Sequence, residues 1–507
     1  MNKTVKRVSA MLLAALLSAS MLTACGGKTT SSAGSTGSTS SAETQTETKK
    51  DPVTLNVWMM NSQGTADAQV TEALNNLQSV KDLNLTINFT KTQAGSNYTQ
   101  SVGLALAAED PCDIVFDAAW ITYNQRVAEG AYADITDEIE KHTALKEAIP
   151  EQNWNGVKIH DKIYCVPTYK EAATSWGFLL PTEILTKHNI EASSVKTLDD
   201  MTNVLKQAVA DGRYGFMAYA TGTTIARMAA AIQHDVITEY LTYVDYSDPT
   251  KVVNWYATED FKKFAHLMRS WYEQGIIPEN VATKDNYNDV SENSDLRGAE
   301  AHNYSPLNEV YTSKSYGIPF SYIPMADAYI NTGTVAGSLY AVTSKCKYPD
   351  RAVDFLEAWN TKSEIKNMIC YGLEGVTYDL VDGQVDTSKY PNHMQLWSAQ
   401  NWSCGNEYIS YTEVGEPKDK WEQYKAWNEA AKVSPLLGFA YDPSTTNSTI
   451  TACKAAVTER LASLCNGLYE DVDAKIDELN QALEMNGMKE LLADTQKQLD
   501  EFYATKK

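Results

Sequence analysis

The chain has 507 residues, 43% of them hydrophobic, and a formal net charge of −22. This length is enough for two or more domains. The acidic balance argues against a nucleic-acid partner, which would require a basic patch, and against a polyanionic ligand held by bulk charge. The eight cysteines form no Cys-x-x-Cys motif and the seven histidines form no His-Glu-x-x-His motif, so we expect neither a metal site nor a cofactor.

The N-terminus has the features of an export signal. Basic residues precede a short apolar run at residues 11–17, which predicts a secretory signal peptide over residues 1–24. The run is shorter than the roughly 20 residues that span a bilayer, so a transmembrane helix is not expected here. The sequence Leu-Thr-Ala-Cys at 22–25 resembles the lipobox of bacterial lipoproteins, which implies a lipidated Cys25. The alternative is an ordinary signal peptide that ends near a cysteine.

Residues 25–50 are expected to hold the lipidated cysteine and a flexible tether. Their Gly/Ser/Thr-rich composition buries too little apolar surface to fold. Two or more acyl chains give stable anchoring where one chain gives only marginal binding. We therefore expect the protein on the extracellular face of the cell membrane, with acylated Cys25 in the lipid bilayer.

The first part of the mature chain alternates between strand and helix patterns. Apolar residues at every second position predict strands, and apolar residues at helical spacing predict helices. The predicted order is a strand at residues 53–59, a helix at 70–77, a strand at 83–89, a helix at 98–108 and a strand at 113–116. This order is typical of a parallel sheet with helices on its faces. Ligands bind beyond the carboxyl ends of such strands, which favours the loops after Met60, after Phe116 and around Pro167.

The remainder of the chain is richer in helical patterns. Residues 181–314 are predicted to be mostly helical, with the clearest helices at 198–209 and 259–272. Further strands are expected at 162–167, 315–320 and 338–342, a further helix at 349–360, and two tail helices separated by Gly487.

Several motifs, taken in order, resemble those of a known family. Three blocks, at residues 113–135, 166–172 and 337–355, resemble those of the extracellular solute-binding proteins of ABC importers, the class that includes maltose-binding protein. The chain resembles a larger Gram-positive lipoprotein subgroup more closely. The motifs shared with that subgroup are Glu-Gly-Val-Thr-Tyr at 374–378, Trp-Ser-Cys-Gly-Asn at 402–406, Ser-Pro-Leu-Leu-Gly-Phe at 434–439 and a helical tail at 487–503.

The resemblance implies an α/β fold, namely a two-lobed, periplasmic-binding-protein-like (type II) clamp that closes on its ligand. We expect lobe I at residues 51–168 and 315–372, and lobe II at residues 169–314 and 373–507 including the helical C-terminal tail. The implied ligand is a solute, with an oligosaccharide favoured, and the implied partners are separate ABC permease subunits in the membrane. Some relatives carry an Asp/Asn/Gly-rich calcium loop, which this sequence lacks.

The aromatic composition favours a sugar ligand. The chain has 29 Tyr and 11 Trp against 10 Phe. Tyr and Trp offer a flat apolar face and a polar group, which match the C–H face and the rim hydroxyls of a sugar ring, although most of them are expected in the core. The candidate ligand-binding residues follow strand ends, lie at the first crossing between lobes or are weaker aromatic and acidic candidates: Asn61, Trp120, Tyr123, Tyr169, Lys170, Glu171, Trp176, Tyr219, Tyr304, Glu374 and Trp402.

Glu171 is the candidate with the most specific implied role. By the resemblance, it matches a carboxylate that bonds sugar hydroxyls in maltose-binding-like relatives. The alternative is an ion pair with Lys170 or another basic residue.

No catalytic residue is expected, and three other functions are open at this point. A surface-anchored glycoside hydrolase would need two carboxylates roughly 5–10 Å apart. The 65 Asp and Glu residues leave room for such a pair, but no hydrolase motif is present and the ordered blocks favour a binding protein. The others are an ABC binding protein for peptides or other non-sugar solutes, and an adhesin or envelope scaffold without a small-molecule cleft.

Overall fold

The structure is a computed structural model that describes residues 50–92, 96–108, 110–238, 240–285, 294–390 and 392–506. The expected signal peptide, Cys25 and the tether up to residue 49 lie outside these described residues. Within the described ranges, no helix is both long enough and apolar enough to cross a membrane.

Short strands and longer helices alternate along the described chain. In chain order the strands are β1 Val53–Met59, β2 Leu85–Lys91, β3 Ile114–Asp117, β4 Cys165–Pro167, β5 Ser175–Pro181, β6 His234–Thr238, β7 Thr242–Asp245, β8 Asp248–Val253, β9 Glu300–Tyr304, β10 Phe320–Pro324, β11 Tyr329–Ile330, β12 Leu339–Val342, β13 Asp379–Val381, β14 Gln384–Asp386 and β15 Lys432–Val433. The α-helices are Asp67–Asn76, Gln78–Asp82, Ser96–Ala107, Tyr123–Ala128, Thr136–Lys141, Thr143–Ala148, Glu151–Val157, Thr182–Lys187, Leu198–Ala210, Thr224–Ala231, Glu259–Glu273, Asn308–Tyr316, Thr332–Val335, Pro349–Thr361, Ser363–Tyr371, His393–Leu396, Lys420–Ala430, Asn447–Cys465, Val472–Met485 and Met488–Thr505.

The first lobe is built on a five-stranded sheet with the strand order β2-β1-β3-β12-β4. β1 pairs in parallel with β2 and β3, as the strand and helix patterns predict. The sheet is mixed, because β12 returns from much later in the chain and lies antiparallel between β3 and β4. Every second residue of β1 is buried, as a strand with one face on a core requires. The core of this lobe draws on residues 53–173 and 330–404.

The second lobe contains two three-stranded sheets with the orders β10-β5-β9 and β6-β7-β8. Its core draws on residues 178–325 and 436–499, so the last three helices belong to it. Gly487 separates the final two helices with a φ of +92°, as the sequence predicts. The prediction of mostly helical structure over residues 181–314 is wrong for β6 to β9. These strands are only four to six residues long, which is too short for their alternation to stand out among helical neighbours.

Two segments lie in a different lobe from the one that the sequence indicates. β10 pairs with β5 of the second lobe, whereas the sequence analysis assigns residues 315–372 to lobe I. The strand expected at 315–320 is instead the end of a helix, then Gly317 with a φ of +71°, then the start of β10. Residues 378–404 contribute side chains to the first core, whereas the sequence analysis places them in lobe II. Pairing and packing with distant residues decide both placements.

Within the described residues, the chain passes between the two cores near residues 173–178, near residues 325–330 and between residues 404 and 436. We call residues 170–174, at the first passage, the crossing segment. The other two passages come together where β11 and β15 pair in parallel, Tyr329 with Lys432 and Ile330 with Val433. We call these two strands the crossing pair.

Candidate functional site

A cavity of about 320 Å³ lies where the two lobes meet. The first lobe contributes Trp120, Thr334, Gly337 and Trp402 to its lining, and the second lobe contributes Asn303, Tyr304, Ser305 and Asn308. The crossing segment, residues 170–174, completes the lining. A groove of about 370 Å³ on the first lobe alone is lined by Asp67, Ala68, Thr71, Glu72, Asn75, Asn88 and Phe89. We take the interlobe cavity as the candidate site, because both lobes contribute to it and because it presents several aromatic side chains.

Trp120 is the most exposed aromatic side chain of the cavity. It follows β3, whose carboxyl end the sequence analysis selects, and it is 57% exposed. Its Nε1 donates a hydrogen bond of 2.8 Å to the carbonyl oxygen of Gly337, just before β12. This bond satisfies the polar group of the indole and fixes the ring, so a flat apolar face is available to a ligand.

Trp402 supplies a second indole from the first lobe. It lies in the short 3-10 helix Asn401–Ser403. Its ring stands edge-on to Phe116 of β3, with centroids 6.1 Å apart, and its Nε1 donates to Oε1 of Gln400. Both indoles therefore have their N–H groups bonded within the protein and offer their rings to the cavity.

Tyr304 is the aromatic contribution of the second lobe. It ends β9 and stacks on Tyr322 of β10, with centroids 3.9 Å apart and planes 12° apart. Its hydroxyl donates a hydrogen bond of 2.9 Å to Oε2 of Glu309, and burial and this carboxylate raise its pKa. The amides of Asn303 and Asn308 lie beside it in the lining. This side of the cavity therefore combines one ring with groups that donate and accept hydrogen bonds.

The crossing segment brings one positive and one negative side chain to the cavity. Lys170 and Glu171 are both half-buried, and their charged atoms are 3.8 Å apart. The closer contact of Lys170 Nζ, at 3.0 Å, is with the carbonyl oxygen of Glu171. The ion pair considered in the sequence analysis is thus present but long. The carboxylate of Glu171 keeps capacity to accept further hydrogen bonds.

A second carboxyl group, which the sequence analysis does not single out, lies beneath the crossing segment. Glu407 is 4% exposed, and its Oε2 has no hydrogen-bond partner within the described part of the chain. Burial first, and then the negative charge of Glu171, raise the pKa of Glu407. Its backbone N–H donates to the carbonyl oxygen of Tyr169 at 2.8 Å. In the sequence it directly follows the motif Trp-Ser-Cys-Gly-Asn at 402–406, but nothing there indicates that its carboxyl group is buried.

Five of the eleven predicted ligand-binding residues line the cavity: Trp120, Lys170, Glu171, Tyr304 and Trp402. Tyr123 does not, because it is 1% exposed and its hydroxyl donates to the carbonyl oxygen of Val157 inside the first core. Asn61 is 5% exposed at the end of β1 and is likewise absent from the lining.

The other four predicted residues lie around the cavity or away from it. The ring of Tyr169 packs 4.3 Å from that of Tyr408, behind the crossing segment. Trp176 lies in β5 and packs against the second core. The carbonyl oxygen of Tyr219 accepts a hydrogen bond from Asn466. Glu374 is exposed and lies in a turn of the first lobe.

Comparison with protein families gives two matches. A model described as bacterial extracellular solute-binding protein matches residues 72–394. A second model, a domain of unknown function (DUF3502), matches residues 435–504. A carbohydrate ABC transporter substrate-binding protein of Streptococcus pneumoniae is 26% identical over 420 residues, which cover 81% of this chain and 83% of that protein.

Solved structures with similar folds include the N-glycan transport solute-binding protein NgtS of Streptococcus pneumoniae. It is 24% identical, and the match covers 90% of this chain and 100% of that chain with a TM-score of 0.76. The structure of NgtS in complex with Man1GlcNAc is 23% identical over 89% of this chain and 99% of that chain, with a TM-score of 0.67. These matches confirm the two-lobed type II α/β fold that the sequence analysis expects.

Proposed function

The chain belongs to the bacterial extracellular solute-binding proteins, and we propose that it binds an oligosaccharide in the interlobe cavity and delivers it to an ABC importer. The observation that carries this proposal is the lining of the cavity. Two indoles from one lobe and a tyrosine from the other share one cavity with amide, hydroxyl and carboxylate groups.

This combination fits the two-sided chemistry of a sugar. The faces of a pyranose ring carry C–H groups that pack on Trp and Tyr rings, and its rim carries hydroxyls that donate and accept hydrogen bonds. Asn303, Asn308 and Glu171 supply such partners beside the rings. A peptide bound by strand addition would instead pair its backbone with an exposed strand edge.

The ligand is proposed to be a neutral glycan. Lys170 and Glu171 carry opposite charges 3.8 Å apart, so their combined charge at the cavity is close to zero. The chain as a whole carries −22, which disfavours the approach of a polyanion. Similar proteins point the same way, because one is a carbohydrate ABC transporter substrate-binding protein and another was solved in complex with Man1GlcNAc.

The proposed mechanism is transport delivery without a reaction. A ligand that contacts Trp120 and Trp402 on one lobe and Tyr304 on the other favours the closed clamp, by the amount that it binds the closed form better than the open form. The permease then recognises the closed form. Lipidation at Cys25 and the tether that follows would hold the protein at the membrane that contains the permease, with freedom to turn toward it.

A thermal-shift screen of the mature chain, without lipid, tests the proposal. The panel contains neutral N-glycan fragments such as Man1GlcNAc and Man5GlcNAc, other neutral oligosaccharides, uronate oligosaccharides and peptides. A neutral glycan should raise the melting temperature and be recovered intact after incubation. A shift with peptides alone, or no shift with any glycan, would contradict an oligosaccharide-binding function. Cleavage of the bound glycan would favour the glycoside hydrolase instead.

A further inference from the structure

The crossing segment is irregular, and its backbone is bonded by side chains from the helix Lys420–Ala430. Asn428 makes most of these bonds. Its Oδ1 accepts hydrogen bonds from the backbone N–H groups of Ala172, at 2.9 Å, and Ala173, at 3.0 Å. Its Nδ2 donates to the carbonyl oxygen of Lys170 and to the hydroxyl of Tyr408, both at 3.0 Å. One amide therefore bonds three backbone groups of the crossing segment.

The neighbouring residue of the same helix adds a fourth backbone bond. Trp427 Nε1 donates to the carbonyl oxygen of Ala173 at 2.9 Å. The ring of Trp427 stands edge-on to Tyr304, with centroids 5.5 Å apart, and so contacts a residue of the cavity lining from behind. Asn428 is 8% exposed, and neither residue lines the cavity. The helix thus supports the cavity without reaching the space where a ligand would lie.

The chemistry of asparagine suits this position. An amide side chain has two N–H donors and a carbonyl oxygen with two lone pairs, and Asn428 uses both donors and both acceptor positions. Ala172 and Ala173 are buried, and buried backbone N–H groups without a partner are costly. Removal of the amide would leave these groups unpaired, and the crossing segment would then adopt other conformations that satisfy them.

We propose that Asn428 is a positioning residue for ligand binding: it fixes the backbone of the crossing segment so that Lys170 and Glu171 face the cavity. This inference rests on the proposed function of the cavity as the oligosaccharide site. The direct consequence is that ligand affinity depends on a side chain that does not touch the ligand. The helix that carries Asn428 lies in the third passage between the lobes. The same helix therefore contributes to the third passage and fixes the backbone of the crossing segment.

Asn75 offers a matched control in the first lobe. It also lies on a helix and bonds the backbone of an adjacent strand: its side chain accepts from the N–H of Ile87 at 2.7 Å and donates to the carbonyl oxygen of Ile87 at 2.9 Å. It donates to Thr71 as well and lies outside the interlobe cavity. Replacement of Asn75 by alanine therefore removes a similar set of bonds without any predicted effect on the ligand site.

The test compares Asn428→Ala, Asn75→Ala and wild type as full mature chains, with two readouts. Amide hydrogen exchange of the unliganded proteins should speed up by about tenfold or more at residues 170–174 in Asn428→Ala alone. The dissociation constant for Man5GlcNAc, measured by calorimetry, should rise by about tenfold in Asn428→Ala and stay within about twofold in Asn75→Ala. Both variants should show lower melting temperatures, since both lose backbone hydrogen bonds.

A milder variant keeps the test decisive if Asn428→Ala does not fold. Trp427→Phe retains a ring against Tyr304 and removes only the bond to Ala173, so exchange at residues 170–174 and the dissociation constant should each rise by about threefold. Unchanged exchange in these variants, or equal loss of affinity in Asn428→Ala and Asn75→Ala, would overturn the positioning role. Failure of wild type to bind any glycan would instead contradict the proposed function, while the exchange data would still decide whether Asn428 holds the segment.

Discussion

The crossing segment and the crossing pair both join the two lobes, but different interactions hold them. The crossing segment has its backbone bonded by neutral side chains, chiefly Asn428 and Trp427, and it presents Lys170 and Glu171 to the cavity. The crossing pair has a regular backbone ladder, in which Tyr329 pairs with Lys432. It contributes no residue to the cavity lining.

The crossing pair is also tied to the second lobe by a buried carboxyl group. Asp235 of β6 is 4% exposed. It accepts a hydrogen bond of 3.2 Å from Nδ2 of Asn331, next to β11, and one from the hydroxyl of Ser434, next to β15. Burial raises the pKa of Asp235 to about 6. One titratable side chain therefore connects both strands of the crossing pair to the second lobe.

The crossing segment and the crossing pair therefore affect two different properties of the two-lobed protein, namely ligand affinity and stability. A segment that exposes side chains to a ligand must be fixed by contacts that leave those side chains available. In the crossing segment, Asn428 and Trp427 bond the backbone from the side away from the cavity. A pair of strands with a buried carboxyl group contributes to stability and to its pH dependence instead. We therefore expect changes at the cavity to alter affinity, and changes at the crossing pair to alter stability while leaving affinity nearly unchanged.

Trp120→Ala should give the largest loss of affinity. The change removes an indole face that is 57% exposed in the cavity, and we expect binding of a neutral glycan to weaken by about 1–3 kcal/mol. Calorimetric titration measures this loss. The melting temperature of the unliganded protein should change little, because the side chain is exposed.

Trp58→Ala provides the control for Trp120→Ala. Trp58 also donates its Nε1–H to a backbone carbonyl oxygen, that of Pro111 at 3.0 Å, but it lies outside the cavity. Its loss should reduce stability and leave affinity unchanged. Unchanged affinity in Trp120→Ala would remove Trp120 from the ligand site.

Asp235→Asn should alter the free energy of unfolding by about as much as Trp120→Ala alters the free energy of binding, and it should leave affinity unchanged. The folded-state pKa of about 6 lies above the ordinary aspartate pKa of 3.8, so the folded protein binds more protons than the unfolded chain between these two values. The free energy of unfolding of wild type therefore falls as the pH rises from about 4 to about 7, by on the order of 2 kcal/mol from this group. Asparagine does not titrate, so the variant should lack this part of the pH dependence.

Urea unfolding at about pH 4 and about pH 7.5 measures the difference between Asp235→Asn and wild type. The stability of the variant relative to wild type should increase from the lower to the higher pH. A difference that is equal at both pH values would show that Asp235 titrates in the folded protein as it does in the unfolded chain.

The sequence predicts those parts of the fold and the site that depend on local patterns. Alternation of apolar residues locates β1. Trp120 is selected because it follows a strand end, and it does line the cavity. The same rule selects Tyr123, which is three residues further on. Tyr123 begins a helix and turns into the core, a direction that the spacing from a strand end does not determine.

Long-range contacts account for what the sequence does not predict. Nothing in the sequence around Asn428 indicates that its amide meets a segment more than 250 residues earlier in the chain. β10 is likewise placed by its pairing with β5, about 140 residues away, and not by its own composition. Glu407 directly follows the motif at 402–406, but its burial beneath Tyr169 comes from tertiary packing that the motif does not indicate.

Glu171→Gln should give a smaller loss of affinity than Trp120→Ala. The change preserves shape and removes the charge, so hydrogen bonds from ligand hydroxyls become neutral and weaker. We expect the dissociation constant to rise about fivefold. Glu183→Gln is a control, because that carboxylate pairs with Arg213 on the second lobe, outside the cavity. Equal affinity of Glu171→Gln and wild type would show that Glu171 serves only its contact with Lys170.

Among the changes at the cavity, Tyr304→Phe should give the smallest loss of affinity. The hydroxyl of Tyr304 is already bonded to Glu309, and the ring is held by its stack on Tyr322, so the phenylalanine ring should keep the same place. We expect the dissociation constant to change by less than about twofold in Tyr304→Phe, and to rise about tenfold in Tyr304→Ala, which removes the ring. Calorimetry with the same glycan measures both. A tenfold loss in Tyr304→Phe would mean that the ligand bonds the hydroxyl, and that the second lobe contributes hydrogen bonds where the first lobe contributes stacking surfaces.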